Sequence, residues 1–313
     1  MKIGIMAAGG VGAYYGGVLT EAGRDAWLVA RGANLEALQR VGLRITSVGA
    51  GERTVKVSAG PPEDAGVCDL VLFCVKRYAT RDAVRDMLPM LSAETTILVV
   101  QNGVDSAERL KDELPQEYRD NVLWGLTYIV SHMEGPGAVN QLDGPRSIVF
   151  GEGAGGDSER CRRVREALDV PGIEAVFSRY VHRNLWNKFM FINGLAGMTA
   201  VTHRTLGSLK STPEAWAMLN RVVDEVEAIG RASGIELDGE REEVMAYLGR
   251  LGPDTRSSMA VDVLEGNRLE VDSLHGTVSR IGRELGVDTP ACDFIYAVLK
   301  AQDPGGQGAG VRR

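Results

Sequence analysis

The stretch KIGIMAAGGVGAYYGGVLTEAGRDAWLVA, residues 2–30, limits what this chain can fold into more than any other. An apolar run at 2–6 leads into a glycine turn, a helical segment from Val11 to Ala22, and a second apolar run, AWLVA, at 26–30. Strand, turn, helix and strand within about 30 residues is the length of one βαβ unit. Ala7-Ala8-Gly9-Gly10-Val11-Gly12 takes the place of a G-x-G-x-x-G turn, with Ala7 where the first glycine belongs. In such a turn Gly9 lets the backbone approach a pyrophosphate, the helix N-terminus offers N–H donors, and Gly12 permits close helix–strand packing. Ala8, Gly9, Gly10, Val11 and Gly12 are therefore the expected cofactor-binding turn. Ala7 is expected to fit by keeping φ negative.

The end of the second strand selects the cofactor. A carboxylate there would hold a ribose 2′-hydroxyl, whereas a basic residue accommodates a 2′-phosphate. Here the strand ends in Arg31 with no acid beside it, and a guanidinium pairs bidentately with phosphate. The expected cofactor is NADPH/NADP rather than NAD.

The rest of the first half repeats the α/β texture. LRITSV (43–48) and RTVKVS (53–58) read as a hairpin after a helix at Leu35–Arg40. DLVLFCV (69–75) and TTILVV (95–100) are continuous apolar runs of the kind found in central parallel strands. Residues 122–152 alternate between Gly-Pro turns, suggesting an antiparallel extension, followed by a helix at Asp157–Leu168 and a strand at EAVFS (174–178). From about Tyr180 the pattern is helical. Pro213 opens a segment with apolar residues every three or four positions up to Gly234. Further helices are expected at Glu240–Leu251, Val271–Leu285 and Ala291–Lys300. The expected architecture is α/β: a Rossmann-like dinucleotide-binding domain at 1–178, an all-helical domain at 179–303, and a disordered tail at 304–313.

Composition narrows the function classes. The 313 residues are 44% apolar and 25% charged, with net charge −7 and both signs interspersed, which gives no nucleic-acid surface. No apolar run reaches the ~18 residues of a membrane helix, and the N-terminus lacks a basic signal-peptide region. Four cysteines and four histidines are scattered without metal-ligand spacing, so no metal is expected and a reducing cytoplasm is. The expected partner is a small molecule; a homodimer is left open.

One lysine stands out. In NLWNKFMFINGLAG (184–197), Lys188 is surrounded mainly by apolar side chains, with Asn184, Asn187 and Asn193 the other polar residues. It either snorkels to water or is held as a catalytic group. Lys76 directly follows one central strand and Asn102 the next, at carboxyl ends where a dinucleotide's ribose and nicotinamide lie. Ser258, Asp262 and Glu270 recur at spacings of four and eight, and would share a helix face if Gly266 did not interrupt it.

With these pieces in order, the chain resembles the ketopantoate reductase (2-dehydropantoate 2-reductase) family over nearly its whole length. The matching pieces are the glycine turn, Arg31, Lys76, the QNG containing Asn102, the lysine of LWNKF, SSM-x-x-D and E-x-D-x-L-x-G. The resemblance implies NADPH-dependent reduction of a 2-oxo acid, ketopantoate, to (R)-pantoate in pantothenate (coenzyme A) biosynthesis. It implies Lys188 as proton donor, Glu270 as an active-site carboxylate and Ser258 as a substrate ligand. Asn102, Asn193 and Asp262 complete the expected substrate set, and Lys76, Asn102 and Ser131 the cofactor set. Members of the family place asparagines four and eight residues after the lysine; here Ile192 and Ala196 stand there. That departure leaves the exact 2-oxo acid open, and a non-catalytic NADP-binding protein remains the alternative from a different class.

Overall fold

The computed structural model describes residues 1–305; of the tail expected to be disordered, residues 306–313 lie outside the described ones. Two compact units result: Met1–Gln101 with Asp105–Val181, and Asn102–Val104 with the chain from His182 onward.

The first unit is a ten-stranded sheet. Its parallel part comprises β1 (Lys2–Met6), β2 (Asp25–Val29), β5 (Ser58–Gly60), β6 (Leu70–Phe73), β7 (Thr96–Val99) and the start of β8 (Val122–Gly135). Their order is β5-β2-β1-β6-β7-β8, the doubly wound arrangement whose direction reverses between β1 and β6. Ligands of such sheets bind outside the carboxyl ends at that reversal. Leu70, Val71, Leu72 and Phe73 are all fully buried, as apolar runs covered on both faces should be.

Beyond β8 the sheet becomes mixed. β9 (Ala138–Gly151) returns antiparallel, β10 (Glu174–Phe177) lies parallel to β9, and the hairpin of β3 (Leu43–Ser47) and β4 (Gly51–Val55) adds to β9 through β3. The expected hairpin therefore forms, but its second arm stops at Val55. Ser58 instead begins a separate strand on β2, more than half the sheet away.

The Gly10–Glu21 helix is the centre of this unit. Gly16 abuts Leu28 on β2 and Gly17 abuts Leu43 and Ile45 on β3, each so closely that a Cβ would collide. The sheet curls around the helix because both contacts are made at once. Buried Tyr15 locks the arrangement, its hydroxyl hydrogen-bonding Thr127 on β8, whose own hydroxyl donates to Ser147 O at 2.9 Å. Burial pushes the Tyr15 phenol well above its usual range, so it stays neutral.

The second unit is helical. Helices at Val181–Thr202, Pro213–Ala232, Glu240–Arg250, Ser258–Glu265, His275–Leu285 and Pro290–Gln302 dominate it. Pro213 sits in the first turn as expected. The expected helix at Val271–Leu285 is split into a short 3₁₀ turn (Val271–Ser273) and His275–Leu285, because Leu274 leaves the helical region with φ −103° and ψ −98°. The carboxylate of Glu225, 4% exposed, accepts Ala291 N at 3.0 Å and Cys292 N at 2.9 Å. It satisfies the free donors at the start of the last helix. Among the described residues no helix is long and apolar enough to cross a membrane.

Candidate active site

The glycine turn lies at the carboxyl end of β1, at the reversal point of the sheet. Gly12 is required internally: a Cβ there would fall 2.1 Å from Ala7 O. Gly10 is required too, since its Cβ would lie 2.7 Å from Ser131 O on β8. Gly9 differs. It is extended, and a Cβ built on it meets nothing within 4 Å, so the open space beside it is not filled by the protein. The helix that follows has no side-chain cap and no acid in its first turn. Free N–H donors facing open space beside a bare glycine suit a pyrophosphate.

Ala7 overturns one expectation. Its φ is +78°, in the left-handed region, rather than negative. The turn must reverse directly out of β1 while Ala8 N donates to Val29 O at 2.9 Å, and that geometry is the one the missing glycine would adopt freely. Alanine holds it under strain of about 1–3 kcal/mol.

Arg31 follows β2, is exposed, and has no side-chain partner among the described residues. Asn34, three residues on, gave no signal in the sequence. It donates to Ala8 O at 3.1 Å and accepts Gly137 N at 2.8 Å, tying the glycine turn to the β8–β9 turn. Ser131 Oγ is buried with no hydrogen-bond partner among the described residues, close to the point where β8 passes Gly10. An orphaned hydroxyl beside the turn fits a further contact to a bound phosphate.

Lys76 is exposed after β6. Its loop is fixed by Gln101, whose Nε2 donates to Val75 O at 2.8 Å and Thr80 Oγ1 at 3.0 Å, and by the Arg77–Asp105 ion pair at 2.7 Å. Gln101 immediately precedes Asn102. The carboxamide Oδ1 of Asn102 accepts the Lys188 ammonium at 2.8 Å.

That bond resolves the odd composition of the lysine run. Asn187 and Arg183 donate to the buried carboxylate of Glu240. Trp186 and Phe189 stack edge-to-face with centroids 5.7 Å apart, and Trp186 packs against Gly230. Trp186 lies about 160° around the helix from Lys188, so it serves the core. The helix is apolar because most of its circumference is core. Burial lowers the Lys188 pKa from 10.5 to about 8, and the charge of Glu270 partly offsets this.

The two halves of this chain match the descriptions "Ketopantoate reductase PanE/ApbA" over residues 3–155 and "Ketopantoate reductase PanE/ApbA C terminal" over 181–303. A crystal structure of a PanE/ApbA family ketopantoate reductase from Ralstonia eutropha JMP134 is 31% identical, with TM-score 0.89 over 98% of this chain and 100% of that one. The chain belongs to the ketopantoate reductase family. It is an oxidoreductase of that family. The uncharacterized oxidoreductase YkpB of Bacillus subtilis (strain 168) is 29% identical over 96% of this chain and 98% of its own. A D-mandelate dehydrogenase, seen with NADH and anilino(oxo)acetate, shares the fold at TM-score 0.87 and 24% identity, covering 96% of this chain and 98% of that one.

The remaining positions of this ketopantoate reductase family member divide sharply. Ser258 opens the Ser258–Glu265 helix with its side chain exposed. Its neighbour Ser257 caps that helix by accepting Ala260 N at 3.0 Å, and bonds Thr199 on the lysine helix at 3.0 Å. Gly266, with φ +70°, ends the helix, so Ser258, Asp262 and Glu270 do not share one continuous face. Asp262 Oδ1 accepts Asn267 Nδ2 at 3.3 Å across that helix end.

Asn193 corrects the sequence reading. It is fully buried, donates to Phe189 O at 2.8 Å, and its backbone carbonyl accepts His275 Nε2 at 3.1 Å. Lying about 140° around the helix from Lys188, it faces the core and has no surface to offer a substrate.

Proposed function

We propose that this protein reduces ketopantoate to (R)-pantoate with NADPH, the pantoate-forming step of pantothenate (coenzyme A) biosynthesis. The carrying observation is the Lys188 ammonium, held on Asn102 with its pKa near 8 and the Glu270 charge close by. A general acid with a pKa near the working pH is protonated and still gives up its proton readily. Arg31 would pair with the 2′-phosphate, Gly9 and the helix N-terminus with the pyrophosphate, and Ser131 and Lys76 with the rest of the dinucleotide.

When bound, the dinucleotide would be the source of the hydride that the ketone carbon receives. Negative charge then develops on the ketone oxygen, where Lys188 stabilises it and delivers a proton, giving the 2-hydroxy acid. Asn102 holds the ammonium in place for that transfer, Glu270 keeps it charged, and the exposed hydroxyl of Ser258 is a ligand for the substrate. The half-buried Ile192 and fully buried Ala196 offer no hydrogen bond on the lysine's side of the helix. That observation supports a second reading, reduction of a less polar 2-oxo acid by the same residues, because a site without a partner for a hydroxyl discriminates weakly against its absence.

Lys188→Ala should lower the single-turnover rate of NADPH oxidation by ketopantoate about 10²–10⁴-fold, with NADPH affinity and thermal stability retained. The wild-type kcat/KM should fall above about pH 8 as the ammonium is lost. A variant within threefold of wild type would remove Lys188 from the chemistry. Comparing kcat/KM across a panel of 2-oxo acids decides between the two substrates.

A further inference from the structure

Glu270 does not lie in a regular helix. It precedes the Val271–Ser273 turn, and a carboxylate on so short a segment needs support to act reproducibly. Its own carbonyl is occupied by Ser273 N at 3.0 Å, Ser273 Oγ at 2.7 Å and Leu274 N at 3.2 Å. Further support comes from the Pro290–Gln302 helix and from Asp303, which follows it. Asp303, 2% exposed, accepts the backbone N–H of Leu269 at 3.0 Å and that of Gly305 at 3.1 Å through the same oxygen, Oδ1. Gly305 itself lies so close to the Arg268 side chain that a Cβ would come within 2.7 Å of it. Two residues after Glu270, Asp272 accepts Lys300 Nζ at 2.7 Å and Tyr296 Oη at 2.9 Å, both from the Pro290–Gln302 helix.

Glu270 is thus bracketed. One side of its backbone is tied to Asp303 and the other to the helix that Asp303 terminates. Burying a carboxylate is costly unless its oxygens are used, and Asp303 uses them on the N–H groups of Leu269 and Gly305 and, at 3.9 Å, on the Lys300 ammonium.

We propose that Asp303 is a positioning residue for the reaction: with the Asp272–Lys300 pair it straps the Leu269–Ser273 segment to the last helix and sets where the Glu270 carboxylate sits relative to Lys188. This rests on the role given to Glu270 above. Asp303 acts through backbone position and touches no reacting atom.

The test compares Asp303→Leu with Asp303→Asn, alone and in a Glu270→Ala background, by steady-state NADPH oxidation with ketopantoate. Asp303→Leu should lower kcat about tenfold or more with KM for NADPH within about twofold. Asp303→Asn, which keeps the accepting Oδ1, should recover most of the rate. In the Glu270→Ala background, Asp303→Leu should add less than about twofold, because residues acting through one group are not additive. An equal loss in both backgrounds would make Asp303 merely structural, and an Asp303→Leu enzyme within threefold of wild type would overturn the proposal outright. If Asp303→Leu does not fold, Lys300→Met decides: a threefold or greater fall in kcat that vanishes without Glu270 supports the strap, and wild-type activity overturns it. If Glu270→Ala alone leaves kcat unchanged, the assigned role of Glu270 fails instead, which separates the two ideas.

Discussion

The glycine turn of the sheet unit and the lysine cluster of the helical unit are built from different materials. The turn works by subtraction. Gly9, Gly10 and Gly12 matter because they lack a side chain, and the donors are backbone N–H groups of a helix start. Its glycines and donors lie within about a dozen consecutive residues, and Val29, Asn34 and Ser131 only brace or border it. The lysine cluster works by addition. Lys188 meets Asn102 across 86 positions of sequence, and Glu270 is steadied by a residue 34 positions beyond Leu269. A local device tolerates strain at one point, as Ala7 does, whereas an assembled one depends on every contact that fixes its parts.

The comparison can be pressed hardest through His275. This ring is fully buried in the helical unit, donates through Nε2 to Asn193 O, and has no hydrogen-bond partner for Nδ1 among the described residues. Burial lowers its pKa from 6.5 to about 4, so the folded protein keeps it neutral where the unfolded chain would protonate it. Its contribution to stability is whole above pH 6.5 and drains away as the pH falls towards 4, by about 3 kcal/mol in all. Denaturant melts of wild type and His275→Gln at pH 7 and pH 4 should show a smaller acid loss in the variant, with hydrogen exchange opening first in the helical unit. Parallel pH dependence in the two proteins would disprove it.

Arg31→Ala probes the other side. A charge-assisted pair to phosphate contributes about 1.5–3 kcal/mol, so KM for NADPH should rise about tenfold or more while NADH use barely changes. Equal losses with both cofactors would deny the guanidinium its proposed phosphate. The rate of the chemical step at saturating NADPH should stay close to wild type, unlike the Lys188 variant.

The smallest effect is expected at Ala7. Replacing it with glycine removes the left-handed strain and should stabilise the sheet unit by about 1 kcal/mol, or roughly 2–4 °C in Tm. A lowered Tm would mean that the methyl group contributes packing worth more than the strain it causes.

Much of this could be read from residues alone, and the reason is the range of the interactions. The βαβ start, the buried runs of β6 and β7, the β8–β9 hairpin and the long helix opened by Pro213 follow from periodicity and turn chemistry acting over a few residues. The bare space at Gly9 and the basic end of β2 are equally local. Other features depended on neighbours distant in sequence. That β3 and β4 join β9 while Ser58 returns to β2 is a choice among sheet edges, which no local pattern encodes. The sequence could say that Asn193 was polar and near Lys188, but its burial against His275 was decided by which face of a core helix met another element. Ala7 looked harmless because its φ is imposed by the need of Ala8 to reach Val29 O, a contact made only once two strands are paired. Lys188 was visible as an anomaly in an apolar run. Its lowered pKa and its grip on Asn102 came from tertiary packing, because desolvation and the placement of a partner 86 positions away exist only in the folded chain.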